Sequence, residues 1–180
     1  MPSVSFYMAE FENIISISGS SQEVLKNMDT RQLEQTLQDL PGFQGVFALD
    51  QLPAENQDRP ALYVANTHPS CQEGEHWVAL YFPLAGTPEF FDSFARKAFA
   101  PELRRLLGGV YRHNRHVLQS PWADTCGQHV IYYARERSKG IPFENIQYTQ
   151  SLTDNDLLVE EYARKEKKKV LQKKKTLSQN

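Results

Sequence analysis

The stretch Ser120-Pro121-Trp122-Ala123-Asp124-Thr125-Cys126-Gly127-Gln128-His129-Val130 sets a polar loop directly before a run with helical apolar spacing. Pro121 and the Asp124-Thr125 pair hold the loop. Val130, Ile131, Tyr133 and Ala134 supply the contacts of a helix read from Thr125 to Arg137, which Gly140 and Pro142 end. Cys126 therefore falls at a helix N-terminus, where the positive end of the dipole favours thiolate over thiol. Gly127 permits close approach of a substrate carbonyl to backbone N–H groups, which is useful where an oxyanion must be held. A lone cysteine is more often a small buried hydrophobe than a nucleophile, so a catalytic reading needs partners elsewhere in the chain.

Three candidates stand in order before it. His76 opens Trp77-Val78-Ala79-Leu80-Tyr81-Phe82, at the edge of a strand, where a general base can be held rigidly. Asp92, in Phe90-Phe91-Asp92-Ser93-Phe94, follows 16 residues later, a distance suited to the second strand of a hairpin. An acid flanked by aromatics needs a partner, and a carboxylate there can accept from the imidazole Nδ1–H and fix its tautomer. The plainer alternative has Asp92 capping the turn after its strand. Gln119, seven residues before Cys126, can return its side-chain amide beside the thiolate and donate to an oxyanion with the Cys126 N–H.

The rest of the chain is consistent with one domain of 180 residues. A helix is expected from Asp29 or Thr30, with Thr30 as cap and Leu33, Leu37 and Leu40 on one face, stopped by Pro41-Gly42. Strands are expected at Phe43 to Leu49, Leu62 to Ala65, His76 to Phe82 and Glu89 to Phe94, the last two forming a hairpin, with a further short strand at Val117 to Gln119. Helices are expected at Ala100 to Leu107 and from Thr153, the latter with Leu157, Leu158, Val159 and Tyr162 as its buried stripe. Mixed helix and strand of this order gives an α+β class. The expected divisions are an N-terminal extension over residues 1–28, a catalytic domain over 29–163 and a basic tail over 164–180.

No stretch approaches the roughly 20 apolar residues of a membrane span, and the first residues lack the order of a signal peptide, so an intracellular protein without a membrane partner is expected. Two cysteines, Cys71 and Cys126, are a poor disulfide framework for this length, and reduced thiols follow. The net charge of -2 hides an asymmetry, because Arg164 to Lys175 carries eight basic residues and one acid. Such a run attracts nucleic acid through charge alone, or is simply a solvated helix extension.

Taken together, these residues resemble the adenovirus-type cysteine proteases, most closely those of Polinton (Maverick) transposons and related DNA viruses, which share their arrangement with the ubiquitin-like-protein proteases. The segments that carry the resemblance are Gly45 to Pro53, Val64-Ala65-Asn66-Thr67, Glu75 to Phe82, Phe91-Asp92-Ser93-Phe94, Leu118-Gln119-Ser120 with Cys126-Gly127-Gln128, and Asn155-Asp156-Leu157-Leu158-Val159. The resemblance implies a papain-like, adenovirus-protease-like fold: a central mixed sheet packed by helices, with the nucleophile at the N-terminus of a core helix. It implies that Cys126 is nucleophile, His76 base, Asp92 its orienting acid and Gln119 an oxyanion donor, with no metal or organic cofactor.

By the same resemblance the substrate is a protein or peptide cut beside small residues such as glycine, in a viral or transposon structural precursor, or else a ubiquitin-like modifier to be removed. A monomer acting in the nucleus or cytoplasm of a host cell, or packaged in virions, is expected, with DNA contact through the basic tail. The adenovirus enzymes join an activating peptide to a further cysteine. Cys71 matches no such position. Acyl transfer, which an acyl-CoA requirement would reveal, and an inactive protein- or nucleic-acid-binding module are the remaining rivals. His68, Cys71 and His76 fit no standard zinc spacing, and His113, His116 and His129 are expected at the surface or in packing.

Overall fold

The computed structural model of the protein describes residues 28–56 and 58–177. It begins at Met28, so residues 1–27 of the expected N-terminal extension lie outside the described residues. Helix α1 spans Thr30–Leu37, and its cap is Asp29 rather than Thr30. The Asp29 carboxylate accepts from the Gln32 N–H at 2.7 Å while the Gln32 side chain accepts from the Asp29 N–H at 3.1 Å. This reciprocal pair satisfies backbone donors that the first helical turn cannot. Leu33 and Leu37 are fully buried, and Leu40 nearly so.

Strands β1 (Phe43–Phe47), β2 (Ala61–Asn66), β3 (Trp77–Phe82), β4 (Glu89–Phe91) and β5 (Arg112–His113) form one sheet in the order β1-β2-β3-β4-β5. The outer pairs are parallel, while β2, β3 and β4 run antiparallel, so the sheet is mixed and the β3–β4 hairpin is as expected. Alternation along β2 divides the core. Leu62 and Val64 meet Leu33, Leu37, Ile131 and Ala134 on one face, whereas Tyr63 and Ala65 join Leu103, Leu106 and Leu107 of α2 (Pro101–Leu107) on the other. Burial of both faces explains why every residue of β2 is inaccessible. The central helix, α3 (Cys126–Ser138), is buried from Cys126 to Glu136. Near its far end the Tyr133 hydroxyl and Arg137 Nε each donate to buried Glu89 at 2.8 Å, tying the helix to the sheet edge.

Three expectations are corrected. Residues 117–119 form no strand; the edge strand is Arg112–His113, and the N–H groups of Leu118 and Gln119 converge on the Ser93 carbonyl at 2.8 and 3.3 Å. Strand β4 stops at Phe91 because Asp92 folds the chain over. Its carboxylate accepts from the Phe94 N–H at 2.8 Å, its carbonyl accepts from the Ala95 N–H at 2.7 Å, and Ala95 takes φ 57°.

The third correction concerns α4 (Leu152–Leu177), whose buried face is Asn155, Asp156, Val159, Ala163, Glu166 and Val170. Leu157 is 51% exposed. Two polar residues take the inner positions at the start of the helix, so the leucine is rotated outward. The boundary expected between residues 163 and 164 falls within α4, which continues without a break.

Candidate active site

His76 immediately precedes β3, and its carbonyl accepts from the Thr67 N–H at 2.9 Å, which pins the backbone at the end of the β2–β3 ladder. Asp92 directly follows β4, and the turn it makes there sets Asp92 and Phe94 beside His76. The rings of His76 and Phe94 lie 5.1 Å apart. His76 Nε2 is 2.8 Å from Asp92 Oδ1, with both residues buried. The Cys126 side chain acts on the same imidazole from the other direction, and with Asp92 it raises the ring's pKa. Thus the structure brings His76, Asp92 and Cys126 together in one buried chain of contacts.

The nitrogen facing the acid differs from expectation. Asp92 meets Nε2, not Nδ1. The turn that Asp92 makes after the end of β4 brings its carboxylate to that side of the ring, while Cys126 belongs to α3. Asp92 also keeps the turn-capping role, through Phe94, that was the plainer alternative.

Electrostatics support a charged pair. Burial alone would raise the Asp92 pKa, but the hydrogen bond and charge of His76, the Phe94 N–H and the Arg96 guanidinium together hold it below its ordinary value. Arg96 Nε donates to Asp92 Oδ2 at 3.1 Å. Burial alone would lower the His76 pKa; the bonds and charges of Asp92 and Cys126 outweigh it and leave the value raised.

Gln119 is buried, with its amide locked from both ends. Oε1 accepts from the Ser93 hydroxyl at 2.6 Å, and Nε2 donates to the Ala123 carbonyl. The second bond fixes which end of the amide is nitrogen, since a carbonyl can only accept, and it occupies one of the two hydrogens. One N–H remains for a ligand. Asp92 and Ser93 are neighbours, so one turn orients both the base and the amide.

Gly127 has a packing use besides the expected one. A Cβ at Gly127 would fall 2.8 Å from Met28 Cβ and 3.4 Å from Trp77 Cδ1, so the missing side chain makes room for Met28. Met28 is held there by its carbonyl, which accepts from Trp77 Nε1 at 2.8 Å.

Several residues escaped the sequence reading. Asn114 accepts from the Asp92 N–H at 3.1 Å and donates to its carbonyl at 2.7 Å, bracing the turn. Asp156 lies beneath the start of α3, accepting from the Thr125 hydroxyl at 2.6 Å and contacting His129 Nε2 at 3.2 Å. In the sequence Asp156 stands within Asn155 to Val159, a segment that carries the resemblance without giving it a role. His129 is fully buried, and burial, opposed by Asp156, lowers its pKa.

The remaining candidates lie elsewhere. His68 Nδ1 is 2.9 Å from the Glu73 carbonyl and Cys71 is exposed. Arg112 pairs with Glu144. His113 Nδ1 is 2.8 Å from the Asn114 carbonyl. Among the described residues, no group of three or more His, Cys, Asp or Glu side chains is arranged to hold a metal ion. Likewise no helix among them is long and apolar enough to cross a membrane.

No family model matches the chain, and no curated protein does so. Among solved structures, the ASFV pS273R protease is similar over 54% of this chain, at 22% identity and a TM-score of 0.39. The chain covers 42% of that protein's length. The central domain of the uncharacterized Lpg1148 protein from Legionella pneumophila is similar over 82% of this chain and 99% of its own length, at 14% identity and a TM-score of 0.47.

Proposed function

We propose that the chain is a cysteine endopeptidase. The observation that carries the reading is the buried series Asp92–His76–Cys126, with the cysteine as the first residue of a 13-residue core helix. In this reading His76 takes the Cys126 proton through Nδ1, and the thiolate attacks a peptide carbonyl carbon. The carbonyl oxygen becomes an oxyanion, which the Cys126 N–H and the remaining Gln119 Nε2 hydrogen stabilise. The imidazolium returns the proton to the amine as the C–N bond breaks, leaving a thioester. Water, deprotonated by His76, attacks that thioester, and the thiolate leaves to regenerate the site.

The preferred substrate is a viral or transposon structural precursor cut beside a small residue such as glycine, as the sequence resemblance implies. The exposed basic residues of α4 are proposed as a DNA contact in the same setting. The decisive experiment treats wild type, Cys126→Ala and His76→Ala with an electrophilic thiol probe carrying a Gly-ending peptide. Labelling of wild type at Cys126, abolished in the first variant and strongly reduced in the second, is expected. Labelling at Cys71, or labelling that ignores His76, would sink the assignment. Parallel fluorogenic assays with a Gly-containing peptide and with a ubiquitin-like modifier separate endopeptidase from deconjugase.

A further inference from the structure

Gln119 and Ser120 are buried in a loop that belongs to no helix or strand. A cavity of about 1140 Å³ borders Leu118, with Phe91, Asn114 and Tyr148 on its other walls. A loop has no ladder or helix to fix its backbone, and a misplacement of about 1 Å in a donor costs on the order of 100-fold in rate.

Hydrogen bonds from α4 hold this loop backbone. Asn155 Nδ2 donates to the Leu118 carbonyl at 3.2 Å, on one side of Gln119. On the other side, Asp156 Oδ2 accepts from the Ser120 N–H at 3.2 Å and from the Ser120 hydroxyl. Asp156 Oδ1 then accepts from the Thr125 hydroxyl at 2.6 Å, at the residue before Cys126. Both ends of the segment from Gln119 to Cys126 are therefore fastened to one carboxylate.

His129, one turn along α3 from the cysteine, completes the set at 3.2 Å and stacks on Tyr148 with ring centres 5.7 Å apart. Asn155 is itself fixed, since its Oδ1 accepts from the Thr149 N–H at 2.8 Å. Thr125 makes no side-chain cap bond to its own helix; its hydroxyl is given to Asp156 instead. A carboxylate with four donors around it, on the buried face of a helix where leucine would otherwise sit, has a specific task.

The geometry points to Asn155 and Asp156 as positioning residues that set the oxyanion donors, the Gln119 amide and the Cys126 N–H, in register with the thiolate. They touch neither substrate nor reacting atoms. The assignment rests on the cysteine protease reading, and it separates two reactions of one thiol. Alkylation by iodoacetamide needs the Cys126–His76 pair and develops no oxyanion. Acylation by p-nitrophenyl acetate develops one.

The test compares both rates in wild type, Asp156→Asn and Ser120→Ala, with thermal melts to establish folding. Asparagine keeps the volume of Asp156 but presents an NH₂ group where one acceptor oxygen was, so either the Ser120 pair or the Thr125 and His129 pair loses its acceptor. Acylation should fall about 10- to 100-fold in Asp156→Asn while alkylation changes by less than about threefold. The milder Ser120→Ala, which removes one donor only, should lower the same ratio by a smaller factor.

A folded Asp156→Asn or Ser120→Ala whose two rates keep the wild-type ratio overturns the positioning role, as does an equal fall in both rates. Wild-type alkylation that does not depend on His76 instead removes the protease reading, and this assignment with it.

Discussion

At the scale of the residue, Asp92 carries the heaviest demand, since it orients His76, caps its own turn and accepts from Arg96. Asp92→Asn keeps the shape and removes the charge, so kcat should drop about 100- to 10,000-fold. The pH profile should shift as well. Asp92 is a cause of the raised His76 pKa, so the imidazolium of wild type survives to higher pH than an ordinary histidine's. In the variant the alkaline limb of kcat/KM must move to lower pH, and an unmoved limb would contradict the pairing.

His129 makes the opposite prediction for stability. Its folded pKa is lowered, so its contribution is present above the ordinary value of 6.5 and lost as pH falls through the folded value. The raised pKa of His76 makes its contribution constant below 6.5 and lost only as pH rises through the folded value. Melting temperature should therefore fall as pH drops below 6.5, with a shallower slope in His129→Gln. Equal slopes in the two proteins would exclude His129 as the source.

At the scale of the element, Gly127→Ala sets two effects against each other. Alanine gains about 1 kcal/mol over glycine inside a helix. The added methyl, however, meets Met28 Cβ at 2.8 Å, and Met28 cannot swing away freely while its carbonyl holds Trp77. Overpacking of this kind costs about 1–3 kcal/mol, so a net loss of stability is expected in chemical denaturation. At the other end of the same contact, Asp29→Ala removes the α1 cap and should cost about 0.5–2 kcal/mol.

The elements also show what could be read from the sequence. Strands β2, β3 and β4 announced themselves through β-branched and aromatic runs, and α3 through its cap-side loop and glycine stop, so His76, Asp92, Gln119 and Cys126 could be set in order on hairpin and helix. The false strand at 117–119 arose because apolar residues there bond to a single carbonyl, Ser93, instead of forming a ladder. The buried face of α4 was misread because periodicity counts leucines, and Asn155 and Asp156 had taken the inner positions. Contacts such as Ser93 to Gln119 and Asn114 to Asp92 join residues 26 and 22 positions apart. Local pattern carries no trace of either.

At the scale of the whole molecule, the question is whether the basic C-terminal stretch can be removed without harming the domain. Helix α4 is fastened to the body by an ion network: Arg135 Nη2 lies 2.6 Å from Asp39 and its Nε 3.3 Å from Glu166, with Lys173 3.5 Å from the same Asp39. Glu166 and Val170 are buried, and α4 packs on both α1 and α3. Cutting the chain before Arg164 strips Arg135, itself 8% exposed, of one carboxylate and uncovers apolar surface. Breaking a buried pair costs about 3–5 kcal/mol, and at about 2–4 °C per kcal/mol for this length the melting temperature should fall on the order of 5–20 °C.

Loss of DNA affinity after such a deletion would therefore say little about charge. Neutralising the exposed Lys168 and Lys174 to Gln leaves the Arg135 network intact, so melting should stay within about 2 °C, as surface substitutions do. If α4 contacts DNA, each neutralised lysine that met a phosphate should reduce the slope of log affinity against log salt by about 1. A truncated chain that melts with the wild type would show that α4 beyond residue 163 is not part of the core, and an unchanged salt slope in the lysine variants would end the DNA proposal for those positions.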